Sequence, residues 1–363
     1  MILPFAPVMA VVMEFPALAH PICITMAPVL EVKKGNSSFE IKKERPMIGL
    51  SKRAGLYLVL LLATSALIPS AVGQALPSFG NVVIVVGENQ NYSTSYNSSN
   101  MPYLTSLANT YGLGVNYYSD THPSIGNYLN LATGNILTDD DSQTPQSFPV
   151  SLNNIALEVQ NAGGTWKDYV ENLPGANFCG GLNRGTYYVR HDPLQYMTTI
   201  NQERSHFVCF AQLANDLLKH QLPTLSWLVP NGCDDAHDCS IQTFDNWLRD
   251  EIGLLLTSSY FRPGGTGLLI IVFDENADDG NPDCETTTEG QGCGGQVELV
   301  VVSPYSKRGY QSPGGDTRNY NSSYDEGDIL RLMSQGLGLP TSNLGWATNG
   351  LPMADFFSSE VNH

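Results

Sequence analysis

The residues of this 363-residue chain best suited to chemistry are oxygen donors that follow apolar runs, together with one serine where a helical pattern begins. Glu88 and Asn89 follow the run 81–86, and Asp274 and Glu275 follow the run 268–273. A third run, 225–229, leads into Pro230-Asn231-Gly232-Cys233-Asp234-Asp235-Ala236-His237-Asp238. Carboxylates with an amide oxygen suit one hard or borderline divalent ion, Ca²⁺, Mg²⁺, Mn²⁺ or Zn²⁺. Each donor alone reads as an exposed loop acid or a helix cap; four at two strand ends point to a site. Ser124 lies in Thr121-His122-Pro123-Ser124-Ile125-Gly126-Asn127-Tyr128, where a loop turns into a helix backed by Ile125, Leu129 and Ala132. A hydroxyl there faces free backbone N–H groups that favour a phosphate. It is a weak nucleophile until a base or a metal lowers its pKa. The plain structural reading of Ser124 is a helix cap.

Strands must bring these groups together. The runs 81–86, 225–229, 268–273 and 297–302 are apolar and rich in branched residues, as strands covered on both faces are. Helical patterns lie between and around them at 101–111, 125–133, 152–162, 207–221, 241–257 and 328–337. This alternation predicts an α/β fold with a mainly parallel central sheet and helices on both faces. In such sheets ligands bind beyond the carboxyl ends of the strands, where the polar groups fall. The segments 275–296 and 309–323 read as long loops, and no internal repeat is visible.

Composition narrows the partners. Asp and Glu total 35 against 18 Lys and Arg, and seven of those basic residues precede position 74. The remainder repels nucleic acid and anionic bilayers, so no nucleic-acid partner is expected and an anionic substrate calls for a local cation. Lys52 and Arg53 precede the apolar run 56–68 and then the small residues 70–73, the pattern of a secretory signal peptide, too short for a confident span. The expected organisation is an upstream extension at 1–46 that does not belong to the natural product, a signal peptide at 47–74, and one domain over 75–363. The protein is then secreted or periplasmic, with no stable membrane span after cleavage; its oligomeric state is open. Six cysteines remain after Cys23, which suits disulfides in an exported chain. Short loops favour Cys233–Cys239 and Cys284–Cys293, leaving Cys179–Cys209. Zinc binding by these cysteines is weakly supported, since no C-x-x-C knuckle occurs.

Glu88-Asn89, the 121–128 stretch, the 230–238 stretch and Phe273-Asp274-Glu275 together resemble the bacterial phosphoesterase family of acid phosphatases and phospholipases C, within the alkaline-phosphatase-like superfamily. Met101-Pro-Tyr-Leu-Thr-Ser-Leu-Ala108, Trp166-Lys-Asp-Tyr169 and Tyr188-Val-Arg-His191 add to the likeness, which spans about 80–357. The resemblance implies one metal held by Glu88, Asn89, Ser124, Asp274 and Glu275. It implies Ser124 as nucleophile through a phosphoserine, and His237 as a catalytic group that protonates the leaving oxygen. His122 and Asn127 would contact the phosphoryl oxygens. Relatives carry a histidine where this chain has Glu326, a substrate-side position at which a carboxylate repels a phosphate dianion. His191, beside Arg190, reads equally as a substrate contact or a surface residue, and Asp139-Asp-Asp141 as solvated loop charges.

The function implied is hydrolysis of small phosphate monoesters. A phospholipase C-type diesterase comes second, because no basic or aromatic docking patch is legible. Glu326 keeps a third reading open, a catalytically weak metal-binding surface protein on the same scaffold.

Overall fold

The computed structural model describes residues 75–174, 186–200, 204–277, 292–314 and 323–358, all within one unit, Ser70–His363. The expected upstream extension and signal peptide, with Cys179 and Cys284, lie outside the described residues. Among the described residues no helix is long and apolar enough to cross a membrane.

In chain order the strands are β1 Asn81–Gly87, β2 Gly112–Gly114, β3 Tyr118–Ser119, β4 Trp166–Val170, β5 Phe207–Cys209, β6 Leu225–Val229, β7 Gly267–Phe273, β8 Gly295–Gln296, β9 Leu299–Val302 and β10 Tyr310–Ser312. The main sheet has the order β10-β2-β9-β7-β1-β6-β4-β5, and β3 pairs β8 separately. Every neighbouring pair in the main sheet is parallel except those of β9, which runs against β2 and β7. The sheet is mainly parallel, as the alternation predicts.

The helices that matter are α1 Pro102–Thr110, α2 Ser124–Thr133, α3 Ile155–Asn161, α4 Gln212–Leu218, α5 Ile241–Trp247 and α6 Glu326–Gly336. A π-helical turn, Leu248–Ile252, carries α5 on into Gly253–Leu256, which together fill the predicted helix 241–257. β1, β6 and β7 are mostly apolar because both faces are covered: Val82–Val86 and Leu268–Phe273 are almost wholly buried.

Two expectations need correction. The predicted helix 207–221 begins with the edge strand β5 and turns helical only at Gln212. Three residues of Phe-Val-Cys carry too little periodicity to separate strand from helix, and pairing with β4 decides it. The loop predicted over 309–323 contains β10, another short edge strand whose partner β2 is rich in glycine.

Register places the strand ends level. Val85 lies beside Leu228 and Ile271, and Gly87 beside Phe273. The residues after β1, β6 and β7 therefore emerge side by side, as Asp274 N–H to Gly87 O (2.9 Å) and Glu88 N–H to Asp235 O (2.8 Å) record.

Candidate active site

Ser124 opens α2, whose ten residues are all buried. Its polar positions are served locally: Asn130 Nδ2 donates to Asp120 Oδ2 and Thr133 Oγ1 to Leu129 O. The helix ends at Gly134, where φ is 76° and a Cβ would lie 2.3 Å from Leu344 O, so only glycine fits. At its start the Ile125 N–H donates to Asp141 Oδ1 (3.0 Å), which takes over the capping. Ser124 does not cap its own helix. Its Oγ donates instead to Glu88 Oε2 at 3.2 Å. Ser124 therefore departs from the plain structural reading of a helix cap.

Around Glu88 the expected donors gather. Asn89 Nδ2 donates to Glu88 Oε2 (3.2 Å), and Asn89 N–H to Asp274 Oδ1 (3.0 Å). Asn89 takes φ 55°, a left-handed conformation asparagine tolerates, which turns the chain sharply after β1. Ser124 and Glu88 lie beside Asp274. Glu275 Oε2 pairs with His122 Nδ1 (3.1 Å) and accepts from Asn127 Nδ2 at 3.5 Å. Five donors from three chain regions thus gather in one cluster, with His122, Arg190 and His237 partly exposed near it.

Two expected substrate contacts are turned onto the backbone, although Asn127 Nδ2 also reaches Glu275 Oε2. Asn127 is fully buried, and its amide accepts from Thr121 N–H and donates to Thr121 O, so it fixes the turn before Ser124 rather than facing a substrate. Gly126 is part of that turn: a Cβ would meet Thr121 Cγ2 at 2.5 Å. Glu326 is fully buried at the start of α6, where its Oε2 accepts from Asp120 N–H (3.1 Å). None of its described hydrogen bonds reaches the Ser124 cluster. The local turn at Thr121 orients Asn127, and long-range packing onto Asp120 orients Glu326.

Other residues enter unannounced. His191 is buried, with Nδ1 3.0 Å from Asp235 Oδ2 and Nε2 3.4 Å from Glu88 Oε1; it is no surface residue. Tyr128 O–H donates to Glu88 Oε1 at 2.6 Å. Asp141, expected among solvated charges, binds both Ile125 N–H and Arg190 Nε (3.3 Å). Arg190 also donates to His237 Nε2 (3.0 Å) and lies over the Tyr188 ring. His191, Tyr128 and Asp235 all sit inside quoted motifs, but no local pattern marks them as inward-facing.

His237 Nδ1 lies 2.8 Å from Asp238 Oδ1 and therefore donates; Nε2, facing a guanidinium that can only donate, holds a lone pair. A leaving-group acid needs a proton on Nε2, which this arrangement does not hold.

Burial, reinforced by repulsion from Asp274 and Asp235, raises Glu88 far above the ordinary carboxyl range; burial and Glu275 do the same to Asp274. Burial pushes Asp235 up to about 7 and His191 well below the usual imidazole value. Asp274 Oδ2 is buried without a hydrogen-bond donor. Crowded acids with an orphaned oxygen, an amide and a hydroxyl make a donor set that a divalent cation fits. Among the described residues, Glu88, His191 and His237 also offer ligand atoms all within 4.8 Å of one another. Cys233 and Cys239 form the expected disulfide just before and after His237, and Cys209 and Cys293 are disulfide-bonded too.

The phosphoesterase family model matches residues 86–340, which include every residue of this site. The chain belongs to the phosphoesterase family. This phosphoesterase is 30% identical over 290 residues to a phosphatidylinositol-3-phosphatase of Mycobacterium tuberculosis, across 78% of this chain and 84% of that protein. It is 31% identical to a probable acid phosphatase of Kluyveromyces lactis over 208 residues, 55% of this chain and 48% of that one. Among solved structures it is similar to a protein of the alkaline phosphatase superfamily from Vibrio parahaemolyticus, with TM-score 0.49, 11% identity, and coverage of 84% and 81% of the two chains. The chain is a phosphoric ester hydrolase.

A pH dependence of stability follows from acids outside the donor cluster. Burial pushes Glu326 and Glu171 up to about 8 and Glu298 up to about 7. Acids with raised folded-state pKa values stabilise the fold fully below their unfolded values and lose that contribution as pH rises through the folded ones. Thermal melts of metal-free protein should show Tm falling between about pH 5 and about pH 8, with Glu326→Gln flattening the slope. A Tm that rises over that window would contradict the sign.

Proposed function

We propose that this phosphoesterase is an exported, metal-dependent phosphomonoesterase that works through a phosphoserine at Ser124. The observation that carries the reading is the Ser124 Oγ–Glu88 Oε2 hydrogen bond at 3.2 Å, beside Asp274 and Asn89. Glu88, Asn89, Asp274, Glu275 and Ser124 Oγ would hold the cation. When bound, it supplies positive charge for the phosphoryl oxygens and lowers the pKa of the Ser124 hydroxyl.

Ser124 Oγ is oriented by Glu88 at the N-terminus of α2. It passes its proton to Glu88 Oε2 and attacks phosphorus as the bond from phosphorus to the ester oxygen breaks towards the rim, giving phosphoserine. Water then attacks phosphorus, the bond to Oγ breaks, and Oγ takes a proton back as inorganic phosphate leaves. His122, fixed by Glu275, and Arg190, fixed by Asp141, face the incoming phosphoryl oxygens from the rim. The acid role expected of His237 is not carried forward, because its Nε2 offers a lone pair. Solvent at the rim protonates the leaving oxygen.

Arg190 favours a monoester, since two anionic oxygens are better matched to its N–H groups than the single charge of a diester. The relative from M. tuberculosis is named for a phosphoinositide monoester, which agrees with this class. Arg190→Ala should lower kcat/KM for p-nitrophenyl phosphate by about 10- to 100-fold, the loss of one or two hydrogen bonds to a charged group. It should lower turnover of bis(p-nitrophenyl) phosphate less. A wild-type enzyme that prefers the diester would replace this reading with the phosphodiesterase one.

A further inference from the structure

Glu88 stands between two sets of partners. Its Oε2 faces Ser124 Oγ and Asn89 Nδ2, with Asp274 alongside. Its Oε1 faces the other way, towards Tyr128 O–H and His191 Nε2. The second set holds the unexplained atom. His191 is buried to 3% exposure, and its Nε2 has no hydrogen-bond partner although it lies 3.4 Å from a carboxylate oxygen. Nδ1, 3.0 Å from Asp235 Oδ2, carries the ring proton, leaving a lone pair on Nε2 aimed at Glu88 Oε1. Two lone pairs facing each other in a buried site repel unless a proton or a cation lies between them.

His237 repeats the pattern. Its Nδ1 donates to Asp238 Oδ1 and its Nε2 holds a lone pair. Both imidazoles therefore have the carboxylate-on-Nδ1 arrangement that fixes a ligating histidine's tautomer and raises its basicity. Ala236, at φ 80°, turns the backbone between Asp235 and His237, so that the first reaches one histidine while the second is the other.

We propose that Glu88 Oε1, His191 Nε2 and His237 Nε2, whose ligand atoms lie within 4.8 Å of one another, form a second divalent-cation site that shares Glu88 with the first. The inference rests on the proposed function for that first cation. Two imidazoles select a borderline ion such as Zn²⁺ or Mn²⁺ over Ca²⁺ or Mg²⁺, whereas the oxygen-only set beside Ser124 does not. Arg190 shares the His237 Nε2 lone pair, so seating the ion exchanges that hydrogen bond; the Asp141 anchor keeps the guanidinium at the rim.

The test is metal stoichiometry on the full chain. Metal-stripped enzyme is titrated with Zn²⁺ or Mn²⁺, and bound metal is measured by mass spectrometry of the desalted protein, with Co²⁺ visible spectra reporting imidazole ligation. Wild type should bind two equivalents, Asp274→Asn and His191→Ala one each. In His191→Ala the second equivalent should weaken by roughly 100-fold or more, given that even second-shell changes cost about 10- to 100-fold. The Co²⁺ spectrum should change in His191→Ala and stay imidazole-like in Asp274→Asn. His237→Ala, at the partly exposed rim, decides the matter if the buried variant misfolds. One equivalent in wild type, removed by Asp274→Asn and indifferent to His191 and His237, overturns the second site and leaves the proposed function standing. No bound metal at all overturns both.

Discussion

Ser124→Ala should lower kcat for p-nitrophenyl phosphate by at least roughly 10³-fold, the scale seen when a covalent nucleophile is removed. The reason is local. Ser124 Oγ is the hydroxyl at the start of α2, it points at Glu88 Oε2 rather than capping its helix, and it lies beside Asp274. The substitution should spare the fold, because Asn89 Nδ2 still donates to Glu88 Oε2 and Tyr128 O–H to Oε1. Circular dichroism and Tm close to wild type provide that control. Acid quenching of wild type with labelled substrate should leave phosphate on Ser124, and the alanine variant should trap none. Full activity in the variant, with an unlabelled wild type, would remove the phosphoserine pathway.

Cation removal is the second large effect. Chelation followed by desalting should abolish turnover, and adding a divalent ion back should restore it. Stability should move as well. Glu88 and Asp274 are buried acids that repel each other, and a bound cation converts that repulsion into attraction. At a free-ion concentration near 100 times Kd the linkage is worth about 2.7 kcal/mol. For a domain of this size that corresponds to a Tm difference of roughly 4–5 °C between loaded and stripped protein. Cation affinity should weaken as pH falls, because protons compete for the same carboxylates. Turnover indifferent to exhaustive chelation would show that Glu88 and Asp274 act through their own protons instead.

The sequence alone determined the layer architecture and the strand ends. Apolar runs rich in branched residues fix β1, β6 and β7, since only a strand covered on both faces tolerates such composition. Polar groups directly after those runs mark the functional end of the sheet. Glu88, Asn89, Asp274 and Glu275 stand out as candidate donors for that reason, and Ser124 stands out because a helical pattern begins there. The inner strand β4 and the edge strands β5 and β10 were not legible, because a short paired segment takes its state from its neighbour.

Tertiary structure decided which side chains face inward. His191, Asp235 and Tyr128 reach Glu88 only through the packing of separate segments, and their spacing carries no trace of it. Asn127 and Glu326 carry the right chemistry at motif positions, yet both are turned onto the backbone of Thr121 and Asp120. A buried polar group must satisfy its hydrogen bonds wherever the fold offers them, and that demand overrides what its residue type suggests.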